Sequence, residues 1–179
     1  MAGTDEDWPG AGASTSRLRF EADLKEAVAD ADLVQENAPE REPVKIKLFA
    51  EMDSILSPPS ILASSTSGIP MSRIQSECKH PERCVTGHPF NPAHLIPLVE
   101  VVGGTKTSAE TIERAMRFYD VMGKRPMHIR KEIGGHVANR LQAALYREAV
   151  HLIEALSQER DNLIMGVERG SRNTPLENP

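Results

Sequence analysis

Four polar side chains stand in otherwise apolar surroundings between residues 61 and 141, namely Ser67, His88, Glu100 and Asn139. His88 and Glu100 lie twelve residues apart, each in an apolar segment typical of a buried strand or of its end. A carboxylate beside an imidazole fixes the tautomer of the ring and makes it a better base, so such a pair can take a proton from an alcohol. The sequence therefore predicts a proton-transfer site at His88, with Glu100 as the residue that orients it.

The elements that must position these residues follow from hydrophobic periodicity and turn signals. Strands are predicted at residues 32–37, 61–65, 83–88, 98–104 and 126–131, and helices at 23–32, 43–56, after the capping-box pair Thr107 and Glu110, and after Gly134-Gly135. The last helix is predicted to place six apolar residues inward: Val137, Leu141, Ala144, Leu145, Leu152 and Leu156. Because strands and helices alternate, the pattern favours an α/β fold with a mainly parallel sheet.

Composition excludes several classes of protein. A net charge of −5 gives no electrostatic reason to expect a nucleic acid or an anionic membrane as partner. Two cysteines without a secretory leader do not form a disulfide framework, and no apolar stretch approaches the length of a membrane span. The acidic start of the chain is typical of neither a signal peptide nor a transit peptide, so we expect a cytoplasmic protein.

Two further motifs indicate neither a phosphate loop nor a zinc site. Gly10 and Gly12 form a G-x-G, but no strand precedes them and no apolar helix follows, so the pattern does not indicate a phosphate loop. The spacing C-x-H-x₃-C-x₃-H is chemically acceptable for zinc, but it matches no common structural finger and His88 would have to leave its glutamate. We therefore expect no metal at its four residues, which are Cys78, His80, Cys84 and His88.

The candidate residues also have structural interpretations, and a histidine such as His88, taken alone, is more often structural than a base. Ser67 could serve only as a turn former, and Asn139, near a predicted helix start, could be a cap or a solvated surface residue. Glu100 could face water from an edge strand. The sequence alone leaves these alternatives open.

Four motifs, SSTSG, GHPFNP, PLVEVV and GHVANRL, occur in this order, and together they resemble the L-3-hydroxyacyl-CoA dehydrogenase superfamily. The wording of VQENAPER and HPFNPAHLIPLVEVVGG is most similar to its L-carnitine dehydrogenase branch. The resemblance covers roughly residues 20–155. It implies an incomplete Rossmann-like, doubly wound sheet followed by the first long helix of an all-α C-terminal domain. The expected organisation is a disordered segment 1–19, a partial NAD-binding domain 20–133, that helix at 134–156, and a disordered tail 157–179.

The resemblance also implies roles for individual residues. His88 corresponds to the histidine that takes the hydroxyl proton while a hydride goes to NAD, and Glu100 to its carboxylate partner. Ser67 and Asn139 correspond to the residues that bind the reacting oxygen. Residues expected to contact the NAD cofactor are Glu40, Lys45 and Ser65.

The implied function is NAD-dependent oxidation of a 3-hydroxyl group, from L-carnitine to 3-dehydrocarnitine or on an L-3-hydroxyacyl-CoA, within carnitine or fatty acid metabolism. The alternative is a catalytically inactive α/β remnant that acts as a binding module or has no function. The expected partner is a small-molecule 3-hydroxy acid or acyl-CoA, and the resemblance implies that full-length relatives are homodimers.

The family pattern begins with a strand, a G-x-G-x-x-G loop and a helix, and it ends with a helical domain that forms the dimer. This sequence matches neither part beyond the first long helix, so it is predicted to be an internal segment of a dehydrogenase. We then expect the strand at 32–36 to expose an apolar edge and the helix at 137–156 to present an apolar stripe to water. Such a protein is predicted to be marginally stable and prone to association.

Overall fold

The structure, a computed structural model, describes residues 15–156. The strands are β1 (Leu33–Glu36), β2 (Ile61–Ser64), β3 (Cys84–Pro89), β4 (Leu98–Gly103) and β5 (Arg125–Ile129). The helices are α1 (Leu24–Val28), α2 (Glu42–Ile55), α3 (Met71–Ile74), α4 (Ala109–Val121) and α5 (Ala138–Leu156), with 3₁₀ turns at Thr15–Arg17, Gln75–Glu77 and Pro81–Arg83. Disorder was predicted for residues 1–19 and 157–179, of which 1–14 and 157–179 lie outside the described residues and 15–19 include the turn Thr15–Arg17.

The five strands form one sheet in the order β1-β2-β3-β4-β5. β1, β2 and β3 run parallel to one another, β4 is antiparallel to β3, and β5 is parallel to β4. The predicted α/β class and mainly parallel sheet are thus confirmed. All five predicted strands are present, and β1 forms one edge of the described sheet, as expected. The reversal at β4 was not predicted.

Each face of the sheet carries its own apolar core. On one face α1, α2 and α3 contribute to a cluster whose buried members are Val28, Phe49, Met52, Leu56, Leu62, Met71, Ile74 and Cys84. On the other face α4 covers a second cluster, with buried members Ile61, Ala63, Val85, Val99, Val101, Ala115 and Tyr119. Successive residues of a strand point to opposite faces, so Cys84 and Val85 enter different clusters.

Helix boundaries follow local capping chemistry. α4 begins after Ser108, whose side chain accepts a hydrogen bond from the Thr111 N–H at 3.1 Å. The predicted capping box at Thr107 was therefore one residue early. The helix ends before Gly123, whose φ of +77° favours glycine and gives the expected stop. α2 has a proline in its first turn, as predicted from Pro43.

The chain divides into two compact units, one up to Gly134 and one beginning at Gly135. In the second unit Leu141 and Leu145 are 61% and 52% exposed, and Ala144 is exposed as well. The prediction that these three point inward was wrong, whereas the expected apolar stripe facing water is present. A lone helix cannot bury its own apolar stripe, and α5 is the one helix or strand that the structure describes in this unit. Within residues 15–156 no helix is both long enough and apolar enough to cross a membrane.

Candidate functional site

His88 and Glu100 form a buried hydrogen-bonded pair on neighbouring strands. They lie opposite each other in the antiparallel ladder between β3 and β4, which places both side chains on the same face of the sheet. The His88 Nδ1 is 2.8 Å from the Glu100 Oε2, and the two residues are 6% and 0% exposed. The ring of Phe90 stands edge-on to the imidazole, with centroids 6.2 Å apart. Because Glu100 is fully buried against His88, it does not face water from an edge strand.

A buried ion pair lies at the carboxyl end of β1. The Lys45 Nζ donates to both carboxylate oxygens of Glu36, at 2.8 and 3.0 Å, and to the Ala38 carbonyl at 3.0 Å. The Ser64 hydroxyl of β2 donates to the Glu36 Oε2 at 2.6 Å. These bonds satisfy two charges whose side chains are both 1% exposed. They join α2 to the ends of two parallel strands.

Glu40 holds the turn that follows β2. Its Oε1 accepts hydrogen bonds from the Thr66 hydroxyl at 2.6 Å, the Ser67 N–H at 2.9 Å and the Gly68 N–H at 3.1 Å. Its Oε2 lies 3.6 Å from the Lys45 Nζ. Partial burial raises the pKa of Glu40, but the Thr66 hydroxyl, the two N–H groups and Lys45 outweigh it, so the net pKa is lowered.

The structure brings most of the predicted site residues to one edge of the sheet. β1, β2 and β3 are parallel, so their carboxyl ends share that edge. His88 lies near the end of β3, Ser65 directly follows β2, and Lys45 of α2 donates to Glu36 at the end of β1. Ser65 is half-buried and its N–H donates to the Glu36 carbonyl at 2.9 Å, while Ser67 is exposed. Asn139, the second residue of α5, is half-buried and belongs to the other compact unit.

Sequence reasoning missed Glu36, Ser64 and Thr66, which complete the network around the predicted cofactor residues. A glutamate at the end of an apolar strand, with a lysine on the next predicted helix, was the one available signal. Among residues 15–156 no three potential ligands are arranged to hold a metal ion, so the cysteine–histidine spacing does not assemble a zinc site there. Both cysteines are free thiols.

Comparison with known proteins matches residues 8–133 to the family model described as 3-hydroxyacyl-CoA dehydrogenase, NAD binding domain. L-carnitine dehydrogenase of Pseudomonas aeruginosa is 52% identical over 142 residues, which is 79% of this chain and 44% of the relative. L-carnitine dehydrogenase of Bacillus cereus is 51% identical over 157 residues, covering 86% of this chain and 48% of the relative. The chain thus spans about half the length of these relatives.

Two solved structures are similar in fold and sequence. 5-formyl-3-hydroxy-2-methylpyridine 4-carboxylic acid 5-dehydrogenase, described as an NAD+ dependent dismutase, aligns with a TM-score of 0.79 and 38% identity over 85% of this chain and 49% of that one. 3-hydroxybutyryl-CoA dehydrogenase from Escherichia coli aligns with a TM-score of 0.70 and 39% identity over 74% of this chain and 28% of that one. The architecture of the described sheet is therefore Rossmann-like.

Proposed function

The chain belongs to the 3-hydroxyacyl-CoA dehydrogenase family, whose cofactor is NAD, and from this premise we propose that it is the part of an oxidoreductase that oxidises a 3-hydroxyl group. The observation that carries the proposal is the buried hydrogen bond between His88 and Glu100. About half of the aligned residues are identical to those of L-carnitine dehydrogenases, which supports L-carnitine as substrate, with an L-3-hydroxyacyl-CoA as the alternative. Either substrate is a small molecule whose secondary alcohol becomes a ketone.

In the proposed reaction His88 accepts the hydroxyl proton. Glu100 binds Nδ1, so proton exchange with the substrate would use Nε2 on the opposite side of the ring. Glu100 fixes that tautomer and stabilises the imidazolium that forms when the proton arrives. By the family resemblance, Ser67 would donate a hydrogen bond to the reacting oxygen as it becomes a carbonyl, and the role that the resemblance implies for Asn139 stays a prediction. NAD, when bound, would supply the acceptor for the hydride that leaves the carbon bearing the hydroxyl group.

The residues at the carboxyl ends of β1 and β2 fit a dinucleotide cofactor. Ligands of open α/β sheets bind outside the carboxyl ends of parallel strands. Glu40 presents a carboxylate there whose side chain is 44% exposed, with one oxygen fixed by three donors. A ribose hydroxyl can donate to such a preoriented carboxylate. We therefore assign ribose binding to Glu40, with Ser65 nearby and Lys45 as the cation that holds Glu40 in place.

The proposal is tested in two steps on the 179-residue chain. NADH is first titrated into the protein and its fluorescence followed, and NAD reduction is then measured at 340 nm with L-carnitine and with L-3-hydroxybutyryl-CoA. His88→Gln should leave NADH binding unchanged and lower kcat by about 10²- to 10⁴-fold, the usual loss for a general base. His128→Gln is the matched control, because His128 is exposed on β5.

The outcomes separate the two functions. Absence of saturable NADH binding up to millimolar concentration rejects the dehydrogenase proposal for this chain. Saturable binding without turnover of either substrate supports the alternative, a non-catalytic α/β binding module. Equal losses of activity in the two histidine variants would reject His88 as the base.

A further inference from the structure

A connected group of three residues lies behind the His88 strand, on the sheet face that α4 covers. The Gln35 Nε2 of β1 donates to the Gly87 carbonyl of β3 at 3.1 Å. The Tyr119 hydroxyl of α4 donates to the Gln35 Oε1. We call Gln35, Gly87 and Tyr119 the Gln35 clamp. Its members come from three elements and are 52 and 84 residues apart from Gln35 in sequence.

The Gln35 clamp supplies a hydrogen-bond donor to the Gly87 carbonyl, which lies beyond the pairing of β2 with β3. The pairing of β2 with β3 ends at Ser64 and Thr86, so the Gly87 carbonyl lies one residue past the last β2 partner. A buried carbonyl requires a donor, and the Gln35 amide reaches across β2 to supply it. The Tyr119 hydroxyl donates to the amide oxygen of Gln35, and this orients the amide so that its nitrogen faces Gly87. Burial raises the pKa of Tyr119, so its hydroxyl keeps the proton that it donates.

Gly87 is the residue that makes this arrangement possible. A Cβ at position 87 would lie 1.9 Å from the Tyr119 hydroxyl oxygen and 2.6 Å from its Cζ. Any side chain would therefore displace Tyr119. A glycine also gives the backbone just before His88 more conformational freedom than another residue would. The bond from Gln35 restricts the peptide plane that joins Gly87 to His88.

We propose that Gln35 and Tyr119 are positioning residues that hold the His88 imidazole against Glu100 by fixing the preceding peptide plane. The meaning of this role for catalysis rests on the proposed function. The contacts that carry it are made between residues of this chain alone. The role can therefore be measured in the free protein.

The test is the exchange with water of the His88 Nδ1–H proton, followed by NMR in the ¹⁵N-labelled chain. Gln35→Leu removes the donor to Gly87, and Tyr119→Phe removes only the hydroxyl. A lost hydrogen bond of about 1 kcal/mol should speed local opening about fivefold. We expect an acceleration of about five- to tenfold in the Gln35 variant and a smaller one in the Tyr119 variant.

Ile61→Val is the matched control, because Ile61 belongs to the same apolar cluster and touches no part of the clamp's hydrogen bonding. All variants are compared under conditions where each is fully folded, with exchange corrected for global unfolding. An acceleration confined to the clamp variants supports the proposal. Equal rates in Gln35→Leu and Ile61→Val overturn it, and if Gln35→Leu does not fold, Tyr119→Phe decides in the same way. Failure of NADH binding would reject the proposed function and leave this result unaffected.

Discussion

The buried pair of Lys45 and Glu36 gives the sharpest stability prediction. Replacing Lys45 by Met keeps the apolar stem in place and removes the ammonium group. Glu36 is then left as a charged side chain that is 1% exposed, with only the Ser64 hydroxyl and the Ala38 N–H as donors. Removing one partner of a buried ion pair costs roughly 3–5 kcal/mol. Since two donors remain on Glu36, we expect the lower end, about 3 kcal/mol.

Urea unfolding at neutral pH, followed by far-UV circular dichroism, measures this loss. With a slope of about 2 kcal/mol per molar urea, the midpoint should fall by about 1.5 M. Lys47→Met is the control, because Lys47 is exposed two residues along the same helix and should change stability by less than about 0.5 kcal/mol. The double variant Glu36→Gln, Lys45→Met should be more stable than Lys45→Met alone, because no charge is left unpaired.

Two results would refute this reasoning. One is a loss below about 1 kcal/mol in Lys45→Met, which would mean that water or a structural shift compensates Glu36. The other is a double variant that is less stable than the single one. A stable Lys45→Met protein with weakened NADH binding would instead indicate that Lys45 contacts the cofactor directly.

Two further predictions concern titration and thiol reactivity. The pKa of Glu40 is lowered in the folded state from its ordinary value of 4.5, so its contribution is fully present above that pH and is lost as the pH falls through the folded value. The difference in stability between wild type and Glu40→Gln should be below about 1 kcal/mol, because the carboxylate is half exposed, and it should vanish on acidification. Thermal unfolding of both proteins between pH 6 and pH 3 measures this difference, and a value that stays constant over that range would contradict the prediction. The pKa of Cys84 is raised by a hydrogen bond with Cys78 and by burial, so mass spectrometry after iodoacetamide treatment at pH 8 should find Cys78 modified and Cys84 modified only after unfolding. Equal labelling of both thiols in the native protein would contradict this order.

Local patterns in the sequence were sufficient to locate the five strands and to single out His88 and Glu100 as candidate partners. His88 and Glu100 stand in two consecutive apolar runs, but their position opposite each other depends on the antiparallel direction of β4. The direction of β4 did not follow, because an apolar run is the same in either orientation. The short helix α3 was also missed, since four residues make little more than one helical turn and therefore show no repeating apolar pattern.

The supporting contacts were beyond sequence reasoning for a different reason. Lys45 was interpreted from the resemblance as a cofactor residue, yet its ammonium is enclosed by Glu36 and the Ala38 carbonyl. The acceptors that the Lys45 ammonium contacts depend on how α2 packs against the strand ends, and the helical pattern of the sequence is compatible with several such packings. Gln35 and Tyr119 meet across a separation of 84 residues, and neither carries a local signal for that contact.

The two faces of β3 place strict limits on the register of this strand. His88 faces Glu100 on one side of the sheet, and Gly87, paired with Val101, lies under Tyr119 on the other. A shift of one residue would send His88 into the apolar cluster beneath α4 and would bring a side chain against the Tyr119 hydroxyl. Both errors are costly, one by burying an imidazole among apolar groups and the other by steric overlap. Gly87 thus specifies the register from the face that α4 covers, and the hydrogen bond between His88 and Glu100 specifies it from the opposite face.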